Sequence, residues 1–141
     1  MIKAVIVFCV LLVATPALAA PAVTYAPTQR CTPYPSDAKQ ISGVQQQRAD
    51  QLIAAFEENY PAALVDPKRV EAASISPAML QKIVSDLACL ATQPGADPFV
   101  PDQAAALFAS RRYGAQAFAI LARNGNARFA KQMRSYTAVR R

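Results

Sequence analysis

The prolines constrain this chain more than any other feature. Ten of the eleven lie between Pro21 and Pro101, and the stretch from Asp102 to Arg141 contains none. Proline locks φ, lacks an N–H and is tolerated in a helix chiefly in its first turn. In a sheet it is confined to edges, strand starts and bulges. The first part of the chain therefore holds only short elements set between prolines. The last forty residues carry no such interruption.

Within that punctuation the apolar residues recur at helical spacing. Ala49, Leu52, Ile53, Phe56 and Tyr60 share one side of a helix that starts between Ser36 and Ser42 and ends at Tyr60-Pro61. Ser42-Gly43-Val44-Gln45 has the form of a capping box. Gln45, Gln46, Gln47, Arg48, Asp50, Glu57 and Glu58 mostly take the other side. Asp66-Pro67 reads as the N-cap and first residue of a short helix to about Ala73, and Ser76-Pro77 repeats the device. In the helix that follows, Leu80, Ile83, Val84, Leu87 and Ala91 share a face until Gln93-Pro94-Gly95 stops it. Ala96 to Val100 reads as a turn-rich connection.

Pro101-Asp102 opens the proline-free region. Ala104, Leu107, Phe108, Arg111 and Arg112 read as helical there, with Tyr113-Gly114 as a C-cap. Ala115 to Arg123 and Ala127 to about Val139 are helical on either side of Asn124-Gly125-Asn126, a turn signal. One long helix over 101–139 and three short ones fit these residues equally well. Phe108-Ala109, Phe118-Ala119 and Phe129-Ala130 form a weak echo, read as three anchors in an Ala-rich core. No stretch alternates with period two. The expected fold is all-α: a compact bundle of five or six short helices with an extended Pro-rich N-terminal segment tethered by one disulfide.

Residues 1–19 are read as a secretory leader. Lys3 supplies the positive end, Ala4 to Ala14 is an unbroken apolar run, and Ala17-Leu18-Ala19 is an A-x-A cleavage site. The run is shorter than the roughly 20 residues that span a bilayer. The domain reading is thus 1–19 leader, 20–35 Pro-rich extended segment and 36–141 a single helical domain. The leader's compact form and the lack of an N-x-Ser/Thr sequon point to a Gram-negative periplasm, or to secretion beyond it.

Removing the leader, and with it Cys9, leaves Cys31 and Cys89. In an oxidising compartment such a pair is most simply one disulfide. Cys89 sits about 180° from Leu80 on its helix, so it faces away from the apolar side. Cys31 lies in APAVTYAPTQRCTPYP, a stretch read as extended or disordered apart from this tether. A bridge pins it across the back of the helix and closes a loop of about 58 residues, worth roughly 3–4 kcal/mol by loop entropy.

The formal charge of +6 hides a partition. Residues 20–102 carry six Lys/Arg and nine Asp/Glu, whereas 103–141 carry eight Lys/Arg and no acid. A block of this kind calls for a counterpart, internal or external. On the last helix Arg128, Lys131 and Arg134 fall on one side, away from Phe129 and Met133.

Several chemistries are set aside. With no His, Ser-His-Asp and Cys-His nucleophilic sites and His-ligated metal sites are excluded. Ser36-Asp37-Ala38-Lys39 has the S-x-x-K form, without the companion elements that give it meaning. Glu57 and Glu58 are adjacent, hence about 100° apart on a helix, and no Gly-rich turn builds a site around them. No cofactor and no metal is expected. The expectation is an exported non-enzymatic binding protein acting through protein–protein contact. The contact is assigned to Arg111, Arg112, Arg128, Lys131 and Arg134, with Tyr113 and Tyr136 as aromatic anchors. An acidic protein is the expected partner and an anionic membrane surface the alternative. Nucleic acid is set aside for an exported chain; a small periplasmic chaperone is a further alternative, and a cell-wall-active enzyme ranks lower.

Overall fold

The computed structural model of the chain describes residues 22–35 and 40–138. The expected leader, the Ser36–Lys39 motif and the terminal Arg140 and Arg141 lie outside the described residues.

Six α-helices make up the described fold: α1 Gly43–Asn59, α2 Pro67–Ala72, α3 Pro77–Leu90, α4 Phe99–Ala109, α5 Gly114–Arg123 and α6 Ala127–Ala138. A 3-10 turn over Ala62–Leu64 joins α1 to α2. The expected all-α fold is present, and residues 101–138 fall in three separate helices and the turns between them rather than in one.

The helix starts follow from local chemistry. Ser42 Oγ accepts from Gln45 N at 3.2 Å while the Gln45 side chain accepts from Ser42 N at 3.0 Å, completing a capping box. Asp66 Oδ1 accepts from Lys68 N at 2.8 Å, and Ser76 Oγ accepts from Met79 N at 3.1 Å. Each such cap contributes about 1 kcal/mol by occupying a donor the helix cannot satisfy itself.

Two expectations in the proline-free region need correction. α4 begins at Phe99 rather than Pro101, since Asp102 N donates to the carbonyl of the N-cap Pro98 at 3.0 Å. Pro101 falls in the first turn, where its missing N–H has no helical partner to lose. Arg111 and Arg112 are not helical. α4 ends at Ala109, and Ser110 Oγ accepts from Arg112 N at 3.1 Å and Tyr113 N at 3.2 Å. Gly114 is therefore the first residue of α5, not a C-cap partner. α5 ends in a Schellman motif: Gly125 takes φ 72°, and Asn126 N donates to Leu121 O at 2.9 Å.

α4 is the centre of the packing. It lies against α2, α3, α5, α6 and the 3-10 turn. Val100, Ala104, Ala105, Leu107 and Phe108 are buried, the alanines letting neighbouring helices approach closely. The Phe108 ring meets Phe118 at 5.0 Å and Phe129 at 5.8 Å, both edge to face. The three-Phe echo is thus one aromatic cluster of the core.

The N-terminal arm, residues 22–35, is more firmly held than a disulfide-tethered coil. Cys31 and Cys89 are bonded, with Cα atoms 6.2 Å apart. Val23 N also donates to Ser74 O at 2.9 Å, and Val23 and Tyr25 are buried in the core. Tyr25 packs edge to face on Tyr60 at 6.2 Å and donates its hydroxyl hydrogen to Asp86. Beyond the bridge, Tyr34 N donates to Thr92 Oγ1 and Gln93 Nε2 to Thr32 O, each at 2.8 Å. Two apolar side chains, not the bridge alone, bring the arm into the fold.

Candidate partner-binding surface

The seven residues singled out from sequence divide into two groups. Arg111, Arg112 and Tyr113 form the turn between α4 and α5, and they fasten it to the α2–α3 linker. Arg112 Nη1 donates to Glu71 O at 2.8 Å and Ala73 O at 3.0 Å, and its guanidinium lies 5.1 Å from the Tyr113 ring centroid. Tyr113 is buried, donates to Ala73 O at 2.6 Å and accepts from Ile75 N at 3.2 Å. Its ring and hydroxyl are engaged inside the fold rather than offered at the surface as an anchor. Arg111 N donates to Glu71 Oε1 at 2.7 Å, leaving the Arg111 side chain exposed. Burial alone would raise the Glu71 carboxyl, but hydrogen bonds from Arg111, Ser110 and Arg112 and the Arg111 charge hold it below the usual carboxylate range.

Arg128, Lys131, Arg134 and Tyr136 belong to α6. Phe129, Ala130, Met133 and Thr137 bury the other side of this helix. Arg128, Lys131 and Arg134 are exposed, spaced by three residues along the opposite arc. Arg134 leans over Phe118, 5.5 Å from its ring centroid. Among the described residues no hydrogen bond or ion pair engages the side chain of Arg128 or Lys131. Tyr136 is half-buried, and its hydroxyl shares Asp97 Oδ1 with Gln132 Nε2, at 3.4 and 3.1 Å. Burial, then the charges of Asp97 and Asp102, raise the Tyr136 phenol above its ordinary value. One group thus stands on the α4–α5 turn and the other on α6, and they are held by different contacts.

Sequence reasoning passed over a second basic feature. A groove of about 530 Å³ runs between the N-terminal arm and α1, lined by Gln29, Arg30, Val44, Gln47, Arg48 and Gln51. Val44, Gln47, Arg48 and Gln51 show the i, i+3, i+4, i+7 spacing of one helix face. The sequence displayed that stripe as an ordinary polar face, because the arm that makes it one wall of a groove is placed by the tertiary contacts of Val23, Tyr25 and Cys31. The only sequence signal was the placing of Arg30 beside Cys31.

Among the described residues no three of His, Cys, Asp and Glu gather as metal ligands, and no helix is long and apolar enough to cross a membrane. No family model, no curated protein and no solved structure matches the chain.

Proposed function

We propose that this is an exported binding protein, of inhibitor or immunity type, that acts through contact with an acidic protein rather than by catalysis. One observation carries the reading: α6 presents Arg128, Lys131 and Arg134 on a single exposed arc, with Arg128 and Lys131 unpaired among the described residues. Unpaired cations on a rigid helix face speed encounter with an acidic surface and set its orientation. Arg111 and Arg112 contribute less, since the Arg112 guanidinium is occupied by backbone carbonyls. Tyr136 is the aromatic residue that remains near the basic arc.

The same observation favours a protein over a membrane surface. A helix that lies in a lipid interface buries an apolar face among the acyl chains. The apolar face of α6 is already buried against the core through Phe129, Ala130 and Met133. The large hydrophobic residues that are exposed, Ile41, Val44 and Val65, lie on other parts of the chain.

Two incubations test the proposal. Immobilised protein exposed to the periplasmic fraction of its source cell retains a protein ligand that raised salt releases. Anionic phospholipid vesicles, compared with neutral ones, fail to sediment with it. Sedimentation with anionic vesicles, lost at high salt and without capture of a protein, would replace the acidic partner with a membrane surface.

A further inference from the structure

We propose that the groove between the N-terminal arm and α1 is a second binding site, which takes a short extended peptide segment bearing two carboxylates. This site is independent of the α6 face.

Two elements build it. One wall is the α1 stripe of Val44, Gln47, Arg48 and Gln51, which extends about 10 Å along the helix. The other is Gln29 and Arg30 of the arm. The backbone at Arg30 is held from both directions. Cys31, the next residue, is bonded to Cys89 of α3, and Tyr25 upstream is buried with its hydroxyl on Asp86. The site therefore exists only while the arm is fastened.

The described lining of the groove holds two cations and no acid. Neither the Arg30 nor the Arg48 side chain has a hydrogen-bond or ion-pair partner among the described residues. The nearest acid of α1 in sequence, Asp50, does not line the groove and accepts from Gln46 Nε2 at 2.9 Å. Two guanidiniums in one groove repel each other, and a ligand bringing two carboxylates removes that repulsion. A guanidinium also matches a carboxylate as a two-pronged donor.

The remaining lining selects a peptide over a simple anion. Gln29, Gln47 and Gln51 each offer an amide donor and an amide acceptor. An oxyanion with acceptors alone leaves the acceptors of these side chains unused, whereas a peptide backbone supplies both complements. A stripe of about 10 Å accommodates about three residues of extended chain. Val44, 77% exposed at the edge of the groove, offers the apolar contact for one side chain of such a segment.

Fluorescence anisotropy on the disulfide-bonded protein tests the site. The probe is a fluorescein-labelled pentapeptide with two glutamates one residue apart, and its control carries glutamines there. The glutamate peptide binds, and the control binds at least about tenfold more weakly. Arg30→Gln and Arg48→Gln each weaken the glutamate peptide by about tenfold, and Arg30→Lys by less. Reducing the bridge weakens binding while helical circular dichroism persists. Reversing Arg128, Lys131 and Arg134 together leaves this binding unchanged, which separates the groove from the α6 reading. Equal binding of both peptides, loss of binding only on the α6 reversal, or displacement of the peptide by an equal concentration of inorganic phosphate would each overturn the proposal.

Discussion

A Cβ on Gly114 would stand 2.4 Å from the Phe108 carbonyl oxygen. No side-chain rotation relieves a contact with backbone, so the hydrogen at this position is what lets α5 start against the end of α4. Gly114→Ala is expected to destabilise the protein by about 1–3 kcal/mol, read from urea unfolding. An unchanged midpoint would show that the junction yields. The sequence offered this glycine as a helix stop, because its reason lies in tertiary packing and not in its neighbours. Tyr25 was hidden for the same cause. Its stretch has no periodicity, and only the fold shows that its ring is buried and its hydroxyl donates to Asp86.

The buried phenols also give the fold an alkaline limit. Burial, then the hydrogen bond to Asp86 and its charge, raise Tyr25 far above the ordinary value, and burial does the same for Tyr60. The Tyr60 hydroxyl has no hydrogen-bond partner among the described residues. In the unfolded chain both phenols ionise near pH 10, whereas in the folded chain they keep their protons. Above about pH 10 the folded state thus binds more protons than the unfolded state, so stability present below that pH is lost as pH rises. Denaturant midpoints across this window should fall, with tyrosinate absorbance rising alongside unfolding. Tyr25→Phe together with Tyr60→Phe should flatten the decline, and an equally steep decline in that variant would assign it elsewhere.

Among the elements, those with starts written in adjacent residues were legible. Ser42 with Gln45, Asp66-Pro67 and Ser76-Pro77 each specify a helix start through contacts within three residues. The outward placing of Cys89 followed from helical periodicity, and the bridge to Cys31 is present. The turn at Arg111 and Arg112 was not legible, because Ser110 recaptures their neighbourhood and Glu71 binds it from 40 residues away. The arm is the element where the two kinds of information meet. Replacing both cysteines, Cys31→Ala with Cys89→Ala, should cost about 3 kcal/mol of stability and speed tryptic cleavage after Arg30. The Tyr25 ring should stay buried, since Val23 and Tyr25 hold the arm through the core. Unchanged stability would mean that their burial suffices without the bridge.

For the whole molecule, the charge partition was plain in the sequence, but its disposition was not. Among the described residues the basic block divides between a turn that clamps the α2–α3 linker, Arg123 at the end of α5 and an α6 arc that faces outward. Periodicity alone predicted the arc at Arg128, Lys131 and Arg134. It did not predict that Arg112 and Tyr113 are absorbed by the backbone of residues 71–75. The function proposed rests on the arc, and the most direct test changes the arc and leaves the buried side of α6 untouched. Arg128→Glu, Lys131→Glu and Arg134→Glu combined alter three exposed side chains and should leave the cooperative unfolding of the fold intact. Capture of the proposed acidic partner by this variant, measured beside the unaltered protein at low and raised salt, is expected to fall by about tenfold or more at low salt. Capture by the charge-reversed protein that equals the unaltered protein at both salt concentrations would contradict the account.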